Sequence, residues 1–475
     1  MILGLFFRSR SLGRDFTLLY FSWILAIQWG CHPSPQLIPC PVDLPLTFSQ
    51  EGEGVASPEW WTSFGDKELH KAMEMAFAGN LTLAGAWDRL NQAEAVARRD
   101  GALRTPALTS EASTSRTRER KSDQTTYSSS FLVGLMVSYE VDLWGRLRSA
   151  HEAARFEVKA TEQDVYAAAL SLSAKVATAW YELAEALEQL HLLDEQVETN
   201  RQILTLVTEH FRQGRVQSAD VLRQRQWVLQ TEALRETARR RKVSIEHQIA
   251  VLLGRPPKAK LGLSEPRLPV LAELPCTGLP SELLSRRPDV TSAYLAVLVQ
   301  DRRLASALAN RYPKIGLSGN LGTRTSTARD LFDDWFASLA GNLAEPIFDA
   351  GGRKAEVDRH RALRREAFHR YGQTLLTALQ EVEDALAAEI YQREILRSLQ
   401  EQIETSRQLV ERTRLGYING QFDYLRVLDA VSSSQNLTRQ MLGAHRELVE
   451  IRIQLHRALA GSLLLERPEI GEDLS

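Results

Sequence analysis

Among the side chains able to undergo covalent chemistry, Cys31 has the most telling setting. Arg8, Arg10 and Arg14 precede an apolar run, Phe16–Trp29, which ends at Gly30-Cys31. The run is about 15 residues, short for a spanning helix, which takes about 20, and suited to the apolar core of an export signal. We therefore expect residues 1–30 to be a signal peptide and Cys31 to become an acylated first residue. Gln28 and Trp29 stand where such signals usually carry Leu and a small residue. One acyl chain gives only marginal membrane binding, so a second attachment is expected. Cys40 and Cys276 could oxidise in an exported chain. Their positions leave open whether they pair.

Other chemistry is missing. There is no H-E-x-x-H, C-x-x-C, G-x-S-x-G or P-loop pattern. His191, His210, His360 and His369 lie on helical stretches without ligand spacing and read as surface positions. Gly316, Gly319 and Gly322 lie in or beside a strand pattern with no helix after it, unlike a phosphate loop. Glu381 and Glu383 read as solvated acids on an exposed helix face. The formal charge of −2 offers no basic field for nucleic acid. No catalysis, metal or cofactor is expected.

The elements that would position these residues are built twice. His210–Gln226 (HFRQGRVQSADVLRQRQ) echoes Gly416–Ser432 (GYINGQFDYLRVLDAVS). Superposing Gly214 on Gly420 puts Phe211 on Tyr417, Val221 on Val427 and Leu222 on Leu428, and a repeat of this kind has to be settled before the fold. Gly145-Arg146 opens a run without Pro or Gly until Gly214. At 1.5 Å per residue it would be on the order of 100 Å long. Val176, Leu183, Leu190, Val197, Leu204 and Phe211 recur every seven residues, as in a supercoiled seam. Gly351-Gly352-Arg353 opens a second such helix, and Leu396, Ile403, Val410 and Tyr417 continue the pattern.

Between the helices the period changes to two. Phe131, Val133, Leu135, Val137 and Tyr139 alternate with Gly134, Met136, Ser138 and Glu140. Strands are expected over about 107–117 and 130–142, with a polar loop at Arg118–Ser130, and again over about 313–323 and 335–345. Tilted strands of about 10 residues cross a bilayer. Four cannot close a barrel, for which about eight is the minimum, so membranous strands would have to be shared between chains.

The expected organisation is an extended N-terminal segment at 31–65, rich in proline, then a first repeat at 66–254. A linker at 255–279, a second repeat at 280–460 and a flexible acidic tail at 461–475 complete it. Asp66 reads as the cap of a helix that stops at Gly79-Asn80.

PEWWTSFGDKEL (Pro58–Leu69), YEVDLWGRLR (Tyr139–Arg148), LPSELLSRRPDV (Leu279–Val290), EPIFDAGGR (Glu345–Arg353), ALQEVEDALAA (Ala378–Ala388) and FDYLRVLDA (Phe422–Ala430) occur in this order. They resemble the OprM/TolC-type family of outer-membrane efflux channels, closest to the lipoprotein branch that serves resistance–nodulation–division pumps. The resemblance implies a mainly α fold with a membrane β-barrel portion. Three chains would form one twelve-stranded barrel on a long coiled-coil α-barrel reaching from the outer membrane into the periplasm. Its implied partners are two further copies of this chain, a periplasmic adaptor, an inner-membrane resistance–nodulation–division transporter and outer-membrane lipid.

The resemblance also implies a periplasmic aperture lined by Leu425 and Asp429, where three carboxylates would favour cations. Relatives often carry Arg three residues after that Asp; here it is Ser432, which argues against a salt-bridge lock at that position. Adaptor contact is implied at Gly214, Val221 and Leu222 and at Gly420, Val427 and Leu428. The expected function is passive conduction of drugs or small molecules. Type I protein secretion through the same pore, or a lipid-anchored periplasmic scaffold without a pore, are the alternatives.

Overall fold

In this computed structural model the described residues are 39–52, 57–122 and 124–459, with Leu463, Leu465 and Arg467. The expected signal peptide and Cys31 lie outside them, as does most of the tail. The fold concerns the compact unit from Val42 onward.

Asp66 begins the ordered helices as expected: its carboxylate accepts from the amides of Glu68 and Leu69 at 2.9 and 3.1 Å, and α1 runs Lys67–Gly79. Asn80 caps α2 (Leu81–Ala102) in the same way and donates to Leu252 O at 2.9 Å. Strands β1 (Ala107–Lys121) and β2 (Gln124–Val141) follow, then α3 (Arg146–Arg212) and α4 (Ser218–Leu252). The second copy has a 3-10 turn at Pro280–Glu282, α5 (Leu283–Arg286), α6 (Pro288–Ala309), β3 (Lys314–Thr325) and β4 (Phe336–Ala344). It closes with α7 (Gly352–Ile418) and α8 (Tyr424–Leu459). Both α3 and α7 are 67 residues long, about 100 Å at 1.5 Å per residue.

The strands form one antiparallel sheet in the order β1-β2-β3-β4. The register puts most of the apolar set on one face, with Leu132, Met136 and Phe336 on the other. Val137 faces Leu108 and Gly319, which faces Leu339; Leu135 faces Ser110 and Leu321, which faces Ala337. The opposite face carries Thr109, Glu111, Ser138, Ser318, Asn320 and Ser338. One face therefore suits hydrocarbon and the other an aqueous lumen.

Residues 118–121 and 124–130, expected as part of a loop, instead continue the hairpin, with Arg118 opposite Tyr127 and Lys121 opposite Gln124. Alternating hydropathy reveals only the part of a strand that meets lipid. Backbone pairing needs no apolar side chain and carries the polar part on.

Both corners from strand to long helix are carboxylate-capped. Asp142 accepts from the amides of Leu147 and Arg148 at 3.0 and 2.6 Å, after Gly145 at φ +74°. Asp349 accepts from Gly351 and Arg353 at 3.0 and 3.2 Å, and Gly351 has φ +84°. Arg146 holds Glu140 with two nitrogens at 2.8–3.0 Å. Trp144 stacks on Tyr312 at 4.9 Å and donates to Pro313 O, joining the first corner to the start of β3. These bonds give the YEVDLWGRLR and EPIFDAGGR segments their physical role.

The core lies around the middle of α3. Trp60, Trp180, Tyr181, Leu69, Met73, Ile249 and Leu253 are fully buried there. Trp180 donates to Asp66 at 2.8 Å, and Trp60 donates to Ser173 at 3.1 Å. His456 of α8 stacks on Trp60 with ring centroids 5.6 Å apart. The segment expected to be a flexible tail places Leu463 in this core, and Arg467 reaches Glu94 at 2.9 Å. Cys276 is an exposed free thiol.

Glu381 and Glu383 are not merely solvated. Glu381 joins Arg287 and Arg457 at 2.8 and 3.0 Å, and Glu383 accepts from Ser49 N. Glu389 of α7 is buried against Arg452 of α8, which also donates to Ala272 O and Glu273 O at 2.9 Å. Burial pushes the Glu389 carboxyl up, but hydrogen bonds from Arg452 and Arg393 outweigh it and hold it below the ordinary value.

Candidate functional site

The two helical tips share one geometry. After α3, Gly214 (φ +66°) donates to Phe211 O at 2.9 Å and Arg215 donates to His210 O at 2.9 Å. After α7, Gly420 (φ +70°) donates to Tyr417 O at 3.0 Å and Gln421 donates to Gly416 O at 2.8 Å. This pair of bonds is a Schellman closure, whose left-handed residue is best filled by glycine. The next helices are acid-capped: Asp220 accepts from Gln217 N at 3.2 Å, and Asp423 accepts from Arg426 N at 3.3 Å.

The tips differ in their side chains. At the second tip Phe422 covers Gly416 so closely that a Cβ there would meet its ring at 2.4 Å. Arg426 lies 5.0 Å from the Phe422 centroid, and Tyr417 meets Tyr424 edge-on at 6.0 Å. Nothing corresponding stands at the first tip, where Gln213, Gly214 and Arg215 are exposed.

Leu425 and Asp429 sit four residues apart on the first turns of α8, hence on one helix face. Leu425 is half-buried and Asp429 is exposed. The Ser432 hydroxyl donates back to Asp429 O at 3.0 Å. At the first tip the position equivalent to Asp429 is Arg223, 3.8 Å from Asp220. Gly214 and Gly420 are exposed, and Val221, Val427 and Leu428 are half-buried. Leu222 is 64% exposed. The structure thus brings Leu425 and Asp429 together, and it splits the six tip residues between exposed and half-buried positions.

The sequence pattern missed a polar seam that ties the two tips. Tyr424 donates to Gln224 Oε1 at 2.7 Å, and Gln224 donates to Asn200 O at 2.8 Å. Asn200 donates to Thr231 at 3.0 Å and exchanges bonds with Gln435. His210 Nδ1 lies 3.5 Å from the Tyr417 hydroxyl. Burial pushes the Tyr424 phenol well above its usual range, so it acts as a neutral donor.

The signal for this seam was a second heptad row. Ala179, Ala186, Leu193, Asn200 and Val207 are buried at sevenfold spacing beside the row read from the sequence, and Ala385, Gln392, Ser406 and Thr413 fall in the equivalent row of α7. Small and polar residues hid these rows from a search for apolar repeats. A polar residue at a seam position fixes register at some cost in stability.

Among the described residues no group of three His, Cys, Asp or Glu is placed to hold a metal ion, and no helix is long and apolar enough to cross a membrane.

Comparison with known proteins places this architecture. The outer membrane efflux protein family matches twice, over residues 72–255 and 279–461. The chain is 29% identical over 423 residues to the outer membrane protein OprJ of Pseudomonas aeruginosa, covering 87% of this chain and 88% of OprJ. It is 28% identical to the cation efflux system protein CusC of Escherichia coli K12, covering 94% and 99%. Among solved structures, the open state of the Neisseria gonorrhoeae MtrE outer membrane channel superposes with a TM-score of 0.80 at 27% identity, covering 91% and 99%. With both repeats matched, the chain belongs to the outer membrane efflux protein family.

Proposed function

We propose that the protein is the outer-membrane channel of a tripartite efflux system, with three copies closing one twelve-stranded barrel. The carrying observation is a four-stranded sheet with one apolar face, whose outer strands β1 and β4 have no further strand beside them among the described residues. Open edges are not tolerated in lipid, and four strands fall short of the roughly eight that the smallest barrels use. Ile347 and Phe348, just after β4, are 99% and 88% exposed in the single chain, which supports a neighbouring copy at that edge.

In the assembled tube α3, α4, α7 and α8 would form the periplasmic wall. Leu425 would make an apolar constriction and three copies of Asp429 a carboxylate ring favouring cations. With Ser432 in place of a basic residue, the polar seam from Tyr424 to Asn200 is the means by which this tip is held. An adaptor would dock at Gly214, Val221 and Leu222 and at Gly420, Val427 and Leu428, linking the channel to an inner-membrane resistance–nodulation–division transporter. Acylation of Cys31 would add a lipid anchor to the barrel.

In detergent the protein should be a trimer and should conduct ions in planar bilayers. A stable monomer without conductance would sink the channel reading and favour the scaffold. Asp429→Ala should alter the conductance and reduce its cation preference; an unchanged reversal potential removes Asp429 from the aperture. Mass spectrometry of the mature N-terminus tests Cys31.

A further inference from the structure

We propose that the outward face of the β1–β2 hairpin docks phosphate-bearing lipid headgroups of the outer leaflet, through Arg116 and Arg118 beside Tyr127. The inference rests on the barrel reading and goes beyond it.

The register supplies the first argument. Leu108, Ser110, Ala112 and Thr114 lie opposite Val137, Leu135, Val133 and Phe131 on the apolar face. The same row continues to Arg116 opposite Ser129 and Arg118 opposite Tyr127. The apolar set on β2 runs from Val141 to Phe131, about 33 Å along the strand and about 25 Å in height after tilt, the height of the usual apolar band. Arg116 and Arg118 come next, about 7 and 13 Å further along the strand. That is headgroup depth, on the side that would meet lipid.

The second argument is charge. Arg116 and Arg118 are exposed, and both guanidinium carbons lie 5.7 Å from the Tyr127 ring centroid. The ring holds two cations side by side. Among the described residues no carboxylate lies within ion-pair distance of either; Glu119, on the other face, is taken by Lys121 at 2.9 Å. The opposite rim differs, because its Arg146 is already bound by Glu140.

The third is access. Pairing between β2 and β3 ends at Phe131 and Thr325, so the basic part of the hairpin rises beyond the third strand of its own chain. Arginine forks suit phosphate oxygens, and tyrosine belongs at such an interface. Three copies would offer six such guanidinium groups.

The test uses the full-length protein in micelles doped with a bis-phosphorylated lipid A or with the same lipid after dephosphorylation. Retained glycolipid is weighed by mass spectrometry after size exclusion. Wild type should retain the phosphorylated form preferentially. Each arginine changed to Gln should weaken retention roughly fivefold, and Arg116→Lys/Arg118→Lys should keep part of it. Equal retention of both lipids by wild type, or unchanged retention by Arg116→Gln/Arg118→Gln, overturns the site. Displacement by millimolar inorganic phosphate alone overturns a lipid occupant. Conductance is read on the same preparations: if it persists while both lipids are retained alike, the lipid site falls and the channel reading stands.

Discussion

Helices α3 and α7 have the same length and the same place in the repeat, yet they meet different surroundings. In α3, 23 of 67 residues are buried; in α7, 14 of 67 are. Helix α3 packs against α1, α2, α4, α6 and α8, whereas α7 packs against α6 and α8. Tyr391, Ile395 and Leu409, which share one face of α7, are 69%, 48% and 51% exposed. The repeat was duplicated in sequence but not in environment. The first long helix is the centre of the protomer and the second is its flank, and the bare stripe on α7 is the surface that the proposed neighbouring copy would cover.

That contrast can be broken at several points. The largest effect belongs to the wrapped helix. Trp180 is 2% exposed and bonded to Asp66, so Trp180→Ala should cost about 3–5 kcal/mol. Thermal or denaturant unfolding of the trimer measures this, and a loss below about 1 kcal/mol would contradict a core centred on α3.

Acid should act on the same core. Burial, with Arg452 nearby, lowers the His456 imidazole to about 4. Its folded value lies below the unfolded value of about 6.5, so the unfolded chain binds the extra proton. This contribution is complete above about pH 6.5 and is lost as pH falls toward 4, up to roughly 3 kcal/mol in all. His456→Phe should flatten stability against pH in that window while retaining a stacked ring on Trp60; an unchanged profile would contradict the assignment.

On α7 the readout should change in kind. Tyr391→Ala should leave helical content intact and weaken the trimer by about 1–3 kcal/mol per contact. Ultracentrifugation decides it: a trimer as tight as wild type removes this stripe from the seam. The smallest effect is at the tip. Tyr424→Phe removes one bond to Gln224, about 1 kcal/mol, and should raise open probability more than it lowers stability. If single-channel records match wild type, the polar seam does not hold the aperture.

Several features could be read directly from residue order. Sevenfold spacing gave two long helices, glycines gave the tips, Asp66 gave a cap, and alternation gave four strands. Each is a local effect: a period, a φ angle or a side chain reaching its own backbone. The rest depended on partners far along the chain. Residues 118–121 and 124–130 became strand because a facing backbone was available. Asn200, Gln224, Tyr424 and Gln435 became a seam because three helices converge, and polar residues at seam positions carry no apolar period. Most of all, α3 and α7 have matching patterns, and only packing could make one a core and the other a flank. Burial is a property of what surrounds a helix, and a repeated sequence does not repeat its surroundings.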